Sequence, residues 1–273
     1  MSDAQTAPAA PALAAPTAPD APSDVGRFVY HDLMTPDPAA ARAFYTALVG
    51  WEASTRQVAG VEYTDLRAAG RPFGGIMPLD SAHGIPPHWV GYVAVDDVAA
   101  ACARAAEAGG RVLLPTHPIP DGSGTFAVLQ DPTGAVVSVL HLVTPHQPPP
   151  NDVEGGAWWH ELLTGDPARA AAFYAHLFGW EARPSMTLPH GTPYHLLHHA
   201  GAPVGGMMQA PSGTPASMWQ LYLTVADVDA AVARAVAAGG AATWPAMDVP
   251  TVGRMGGLAD PAGAMFAVGR AAR

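Results

Sequence analysis

The chain is 273 residues long, enough for two ordinary domains each with its own core. Its 13 basic residues are all Arg, set against 23 Asp and Glu for a formal charge of −10, which repels a phosphate backbone and so argues against a nucleic-acid partner. The lack of lysine rules out Schiff-base chemistry, pyridoxal phosphate attachment and a P-loop, and the single cysteine, Cys102, rules out an intrachain disulfide or a thiolate cluster.

Residues 1–24 are rich in Ala and Pro, which predicts an extended, disordered tail without the basic and apolar regions of a secretory signal. No later run approaches a membrane span, so a cytoplasmic location without membrane contact is expected. The β-rich run RFVYHDLMT comes next. After it, Asp37 and Pro38 mark a helix start, with Ala41, Phe44, Tyr45 and Leu48 at helical spacing before Gly50. VEYTDLRAA and HWVGYVAV read as strands. A second helix begins near Asp97 and ends at Gly109, a residue suited to a left-handed cap, and TFAVLQ and AVVSVLHLV close the half. Cys102 lies on the apolar stripe of that helix, the setting of a small buried hydrophobe.

The same pattern then returns. His31 pairs with His160, Asp37 with Asp166, Phe44-Tyr45 with Phe173-Tyr174, Trp51 with Trp180 and Asp131-Pro132 with Asp260-Pro261, all at one offset, 160 − 31 = 129. Gly74-Gly75 answers Gly205-Gly206 and could mark a bulge or a close backbone approach. Residues 25–144 and 155–273 are therefore predicted as two tandem domains joined by a Pro-rich linker at 145–154. The fold class is α+β: each domain is made of paired βαβββ units forming a curved mixed sheet around a cavity, with helices outside.

The strand before TPDPAAARAFYTALVGWE, the later VAVDDVAAACARAAEAGG and the closing QDPTGAVVSVL together resemble the vicinal oxygen chelate superfamily of glyoxalases, bleomycin resistance proteins and extradiol dioxygenases. The chain reads as a two-domain member. That resemblance implies fold more strongly than chemistry. Metal-dependent members hold one divalent ion with His, Gln or Glu from four strands. Carried over residue by residue, those positions fall on Tyr30 and Trp159, on Val90 and Gln220, on Ser138 and Ala267, and near Ile76 and Met207. Only Gln220 is a competent ligand type, so no metal and no other cofactor is expected.

Strand alternation turns His31 and His160 away from the cavity toward the helices, as hydrogen-bonded structural histidines. In PHGTPYHLLHHAG it places His195, Leu197 and His199 on one face and His198 on the other, with His190 outside the strand, a pattern that suits an adventitious metal site better than a catalytic one. The same alternation lines the first cavity with Tyr30, Asp32, Met34, Val90, Tyr92, Val136, Ser138 and Leu140. The second receives Trp159, Glu161, Leu163, Gln220, Tyr222, Met265, Ala267 and Gly269. Trp51, Trp180, Phe44 and Phe173 read as core.

Asp32 and Glu161 are the candidate catalytic residues, because a carboxylate enclosed by aromatic walls has a raised pKa and suits proton abstraction. Tyr30, Met34, Val90, Tyr92, Ser138, Trp159, Leu163, Gln220 and Tyr222 are the candidates for ligand contact. The expected function is that of a metal-independent glyoxalase-like protein that binds a hydrophobic or aromatic small molecule, with any turnover of the proton-transfer, isomerase or lyase type and the choice between binding and turnover left open by the sequence. A metal-dependent glyoxalase or dioxygenase and a non-catalytic antibiotic-sequestering protein are the alternatives. The expected partner is a small-molecule ligand, and the expected assembly a monomer or weak homodimer.

Overall fold

A computed structural model describes residues 24–272, apart from 81, 83, 146, 189, 190 and 215. The tail predicted at 1–24 thus lies almost wholly outside the described residues, as does His190. The first half runs β1 (Phe28–Thr35), α1 (Pro38–Val49), β2 (Glu52–Val58), β3 (Val61–Ala68), β4 (Arg71–Pro78), β5 (His88–Ala94), α2 (Val98–Glu107), β6 (Arg111–Pro118), β7 (Gly124–Gln130) and β8 (Val136–Leu142). The second repeats it as β9 (Ala157–Thr164), α3 (Pro167–Phe178), β10 (Glu181–Thr187), β11 (Pro193–His199), β12 (Ala202–Gln209), β13 (Met218–Thr224), α4 (Val228–Ala237), β14 (Ala241–Val249), β15 (Gly253–Ala259) and β16 (Met265–Ala271). Among the described residues, no helix is long and apolar enough to cross a membrane.

Each half is one eight-stranded curved sheet, ordered β2-β3-β4-β1-β5-β8-β7-β6 and β10-β11-β12-β9-β13-β16-β15-β14. The first strand of each βαβββ unit sits near the centre. β1 pairs parallel with β4 and antiparallel with β5, which in turn pairs parallel with β8. Local chemistry sets the helix ends. The carboxylates of Asp37 and Asp166 accept from the backbone N–H of Ala40 at 2.9 Å and Arg169 at 3.0 Å, and Pro38 and Pro167 follow in the first turn. Gly50 and Gly179 close the helices at φ of 70° and 71°.

The helices lie outside each cup, on the convex face of its sheet, and there they are enclosed by the other domain. One core cluster joins Phe44, Tyr45 and Leu48 of α1 to Val228, Ala231 and Ala235 of α4. The other joins Val98, Ala101 and Ala105 of α2 to Phe173, Tyr174 and Leu177 of α3. Hydrogen bonds follow the same two-fold logic. Trp51 Nε1 donates to the Gly155 carbonyl and Trp180 Nε1 to that of Gly26, each at 2.8 Å. Trp89 donates to Tyr45, whose hydroxyl reaches Asp260, while Trp219 donates to Tyr174, whose hydroxyl reaches Asp131. Arg104 and Arg234 each meet a carbonyl at the last turn of the opposite domain's helix, Leu177 and Leu48. Both helix-side clusters are therefore shared between the domains rather than one belonging to each.

Candidate functional site: the two cups

A bulge near the start of the first strand of each half controls what enters the cup. In β1 the register shifts between Phe28 and Tyr30, so Val29 joins Val90, Tyr92 and Leu140 on the concave face while Phe28 turns to the domain interface. In β13 the matching shift lies between Tyr222 and Leu223, opposite Trp158, whose ring stands 6.1 Å from that of Tyr222. From Tyr30 and Trp159 onward ordinary alternation resumes.

The floor of the first cup is a buried carboxylate. Asp32, 6% exposed, accepts 2.8 Å hydrogen bonds from Tyr63 on Oδ1 and from Tyr92 on Oδ2. Tyr63 also meets the Tyr30 hydroxyl at 2.9 Å, so three phenols and one carboxyl form a connected chain. Burial pushes the Asp32 carboxyl up, and the two tyrosine hydrogen bonds oppose that only in part. The hydroxyls of Tyr30, Tyr63 and Tyr92 are likewise pushed up, first by burial and then by the Asp32 charge. Val90 is cross-strand to Asp32, Ser138 pairs with Tyr92, and Met34 lies farther along β1 opposite His88.

The second cup repeats the carboxyl and changes the walls. Glu161, 9% exposed, accepts from Tyr222 at 2.7 Å and from Tyr194, whose oxygen receives the Trp159 indole N–H at 2.9 Å. Burial raises this carboxyl too. Gln220, directly cross-strand from Glu161, is 2% exposed, and its Nε2 has no hydrogen-bond partner. Leu163 follows Glu161 on the same face and is 8% exposed.

Alternation thus brings Tyr30, Asp32, Val90, Tyr92 and Ser138 together in one cup and Trp159, Glu161, Leu163, Gln220 and Tyr222 in the other. Sequence reasoning missed Tyr63 and Tyr194, the hydroxyls that complete each carboxyl's shell. The signal was present, since they stand at the offset that joins Gly74 to Gly205, 194 − 63 = 131. The paired glycines have a related role. A Cβ on Gly75 or Gly206 would collide with the hydroxyl of Tyr63 or Tyr194, so the close approach there is to a tyrosine. The positions near Ile76 and Met207 do not reach a cup, because both side chains are buried in the helix-side cores.

The concave positions that would hold a family metal carry Tyr30, Val90 and Ser138 in one half and Trp159, Gln220 and Ala267 in the other. Asp32 already takes a phenol on each oxygen, and among the described residues no group of three or more His, Cys, Asp or Glu could hold an ion. These residues do not fit a divalent metal centre.

His31 lies on the convex side with Leu33, as alternation requires. It is 4% exposed, stacks on Phe73 and meets His160 Nε2 to Nε2 at 2.7 Å. His195 and His199 are also on the helix side with Leu197. His195 lines a groove beside α3, and the His199 ring covers Gly26. The candidate cup residues and the histidines are therefore separate systems.

Two family models match the chain: residues 26–139 match the Glyoxalase/Bleomycin resistance protein/Dioxygenase superfamily, and residues 157–269 a Glyoxalase-like domain. A Mycobacterium bovis protein named "Putative glyoxylase CFP32" is 37% identical over 241 residues, covering 87% of this chain and 92% of its own. The "Anthracycline biosynthesis protein DauV" of Streptomyces sp. (strain C5) is 33% identical over 261 residues, covering 89% and 92%. Among solved structures, the Mn(II)-bound glyoxalase from Novosphingobium aromaticivorans superposes with a TM-score of 0.64 at 15% identity, over 90% of this chain and 82% of that one. At that identity the likeness is one of fold.

Proposed function

The chain belongs to the Glyoxalase/Bleomycin resistance protein/Dioxygenase superfamily, with two such domains in tandem, and from that premise we propose that it is a metal-independent member that binds a hydrophobic, aromatic small molecule in its cups and moves a proton on it. The observation that carries the reading is the buried carboxyl held by two tyrosines at the floor of each cup. Desolvation raises its proton affinity, so the ionised form is a stronger base than a carboxylate in water. In the first cup, a ligand C–H or O–H acid at Tyr30 passes its proton through Tyr63 to Asp32, and the same chain returns it elsewhere on the ligand. In the second, Tyr222 and Tyr194 connect the ligand to Glu161. The net change is an isomerisation or an elimination, and neither needs a redox partner. The anthracycline biosynthesis protein among the relatives favours a polycyclic aromatic ligand.

Sequestration without turnover is the second reading. It draws on the formal charge of −10, which attracts a cationic drug, and on the two phenols that already occupy Asp32. Mass spectrometry of the compound that co-purifies with the protein, before and after incubation in deuterated water, separates the two. Deuterium exchange into the ligand that is lost in Asp32→Asn or Glu161→Gln supports proton transfer, whereas an unchanged ligand in wild type supports sequestration.

A further inference from the structure

The two cups share a fold and a carboxyl but not their walls. In the first, Val29 and Leu140 are in one concave cluster, and Leu114 faces Val128 across the β6–β7 pair. The second replaces each of these pairs with a large ring over a glycine. The position equivalent to Val29 (158 − 129 = 29) is Trp158, and the partner equivalent to Leu140 is Gly269 (269 − 129 = 140), where a Cβ would strike the Trp158 ring. Across β14 and β15, Trp244 faces Gly257, and a Cβ there would strike its indole. The glycines let both indoles lie close to the sheet, with Tyr222 6.1 Å from Trp158 and 6.5 Å from Trp244. The cup thus gains flat aromatic walls.

Its floor differs as well. Where the first cup has Val90, the second has Gln220, 2% exposed with an amide nitrogen that no described group satisfies. A buried N–H without a partner is costly, and a native protein keeps one where something else completes it. Trp219 and Leu221, its neighbours in β13, both point into the helix-side cores, so Gln220 points into the cup.

Resting on the reading that the cups hold small molecules, we propose that the second cup is the selective one, taking a planar aromatic ketone or quinone whose carbonyl oxygen accepts a hydrogen bond from Gln220 while Trp158, Trp244 and Tyr222 flank its ring. The first cup, where Val90 stands in place of Gln220 and Val29 and Leu140 in place of Trp158 and Gly269, has no amide donor at that point and does not make this selection. Gln220 is then a specificity residue.

The test uses the full chain and two probes of one shape, 2-acetylnaphthalene and 2-ethylnaphthalene, with affinity read by calorimetry and indole fluorescence. Wild type should prefer the ketone. Gln220→Leu, which keeps the volume and removes the donor, should weaken ketone binding at least about tenfold, leave the hydrocarbon within about twofold, and hold or raise the melting temperature, because a buried unsatisfied group is gone. Trp158→Leu and Trp244→Leu should weaken both probes. An unchanged ketone-to-hydrocarbon ratio in Gln220→Leu overturns the proposal. So does ketone binding that survives the two tryptophan changes and is lost in Tyr92→Leu, although in that case the general reading of the cups stands. If wild type binds neither probe and no aromatic compound protects either cup from hydrogen exchange, both readings fall together.

Discussion

His31 and His160 meet across the domain interface with their rings 7° from parallel and their Nε2 atoms 2.7 Å apart. They are the same residue of the repeat, so their contact marks the pseudo-two-fold axis. Nδ1 of His31 faces the Phe73 carbonyl, which can only accept. Its Nε2 therefore accepts from His160, and the bond exists only while one of the facing nitrogens is unprotonated. Phe28 stacks on His160 as Phe73 stacks on His31, which leaves the His31 ring buried and His160 half-buried.

Acid should weaken this interface first. Burial lowers the His31 pKa to about 4 and pushes His160 well down. The unfolded chain, with histidine near 6.5, binds more protons, so the stability that the neutral pair contributes is complete above about pH 6.5 and is lost as pH falls toward 4. For His31 alone the shift corresponds to about 3 kcal/mol. Urea unfolding from pH 7.5 to 4.0 should show that slope in wild type and much less of it in a His31→Leu, His160→Leu double variant. Equal slopes in the two proteins would remove the pair as the cause.

The shared core predicts how the halves behave alone. Residues 24–145 expressed by themselves expose α1 and α2 without α4 and α3, an apolar face too large to leave in water. Because Gly110 meets Phe173 and Gly240 meets Phe44 in the same way, the first half carries both sides of the contact and can pair with a second copy of itself. Sedimentation should give a homodimer for that fragment and a monomer for the full chain. A monomeric fragment with native-like near-ultraviolet dichroism would contradict the shared core.

Much of this was legible in the sequence because it is local. Asp37-Pro38 and Gly50 are cap chemistry, the 129-residue offset is self-similarity, and alternation from Tyr30 to Met34 and from Trp159 to Leu163 places side chains with no further information. What escaped depends on contacts distant in sequence or on one inserted residue. The bulge at Val29 and Trp158 reverses parity for a single position, so Trp158 is invisible to alternation although it faces the cup. Tyr63 and Tyr194 sit two strands away from their carboxyls. The placement of α1 on α4, rather than in solvent, follows from the pairing of halves, which no window of sequence contains.

Chelation should leave the protein as it is. Asp32 and Glu161 are each tied to tyrosine hydroxyls, and their concave neighbours Tyr30, Val90, Ser138, Trp159 and Ala267 are not ligands that hold Ni, Zn or Fe at these positions. Overnight dialysis against EDTA is expected to shift the melting temperature by less than about 1 °C, and elemental analysis to find less than about 0.1 divalent ion per chain; a stoichiometric ion removed together with activity would falsify the metal-independent reading.

The cup carboxyls can be told apart from structural ones by the pH at which they matter. A buried acid with a raised folded pKa stabilises the fold when protonated, so its contribution is present at low pH and lost as pH rises through the folded value. Asp32→Asn and Glu161→Gln remove that loss and keep an oxygen for one tyrosine. Their stability relative to wild type should therefore improve as pH rises above the ordinary carboxylate range, opposite in sign to the histidine effect. If the carboxyl is the base, deuterium exchange into the ligand should drop by at least about 100-fold in the variant that serves the occupied cup, with affinity changed by less than about fivefold. Should a variant instead lower the melting temperature across the whole pH range while exchange and affinity stay put, its carboxyl is a strut for Tyr63 and Tyr92, or for Tyr194 and Tyr222, and proton transfer belongs elsewhere.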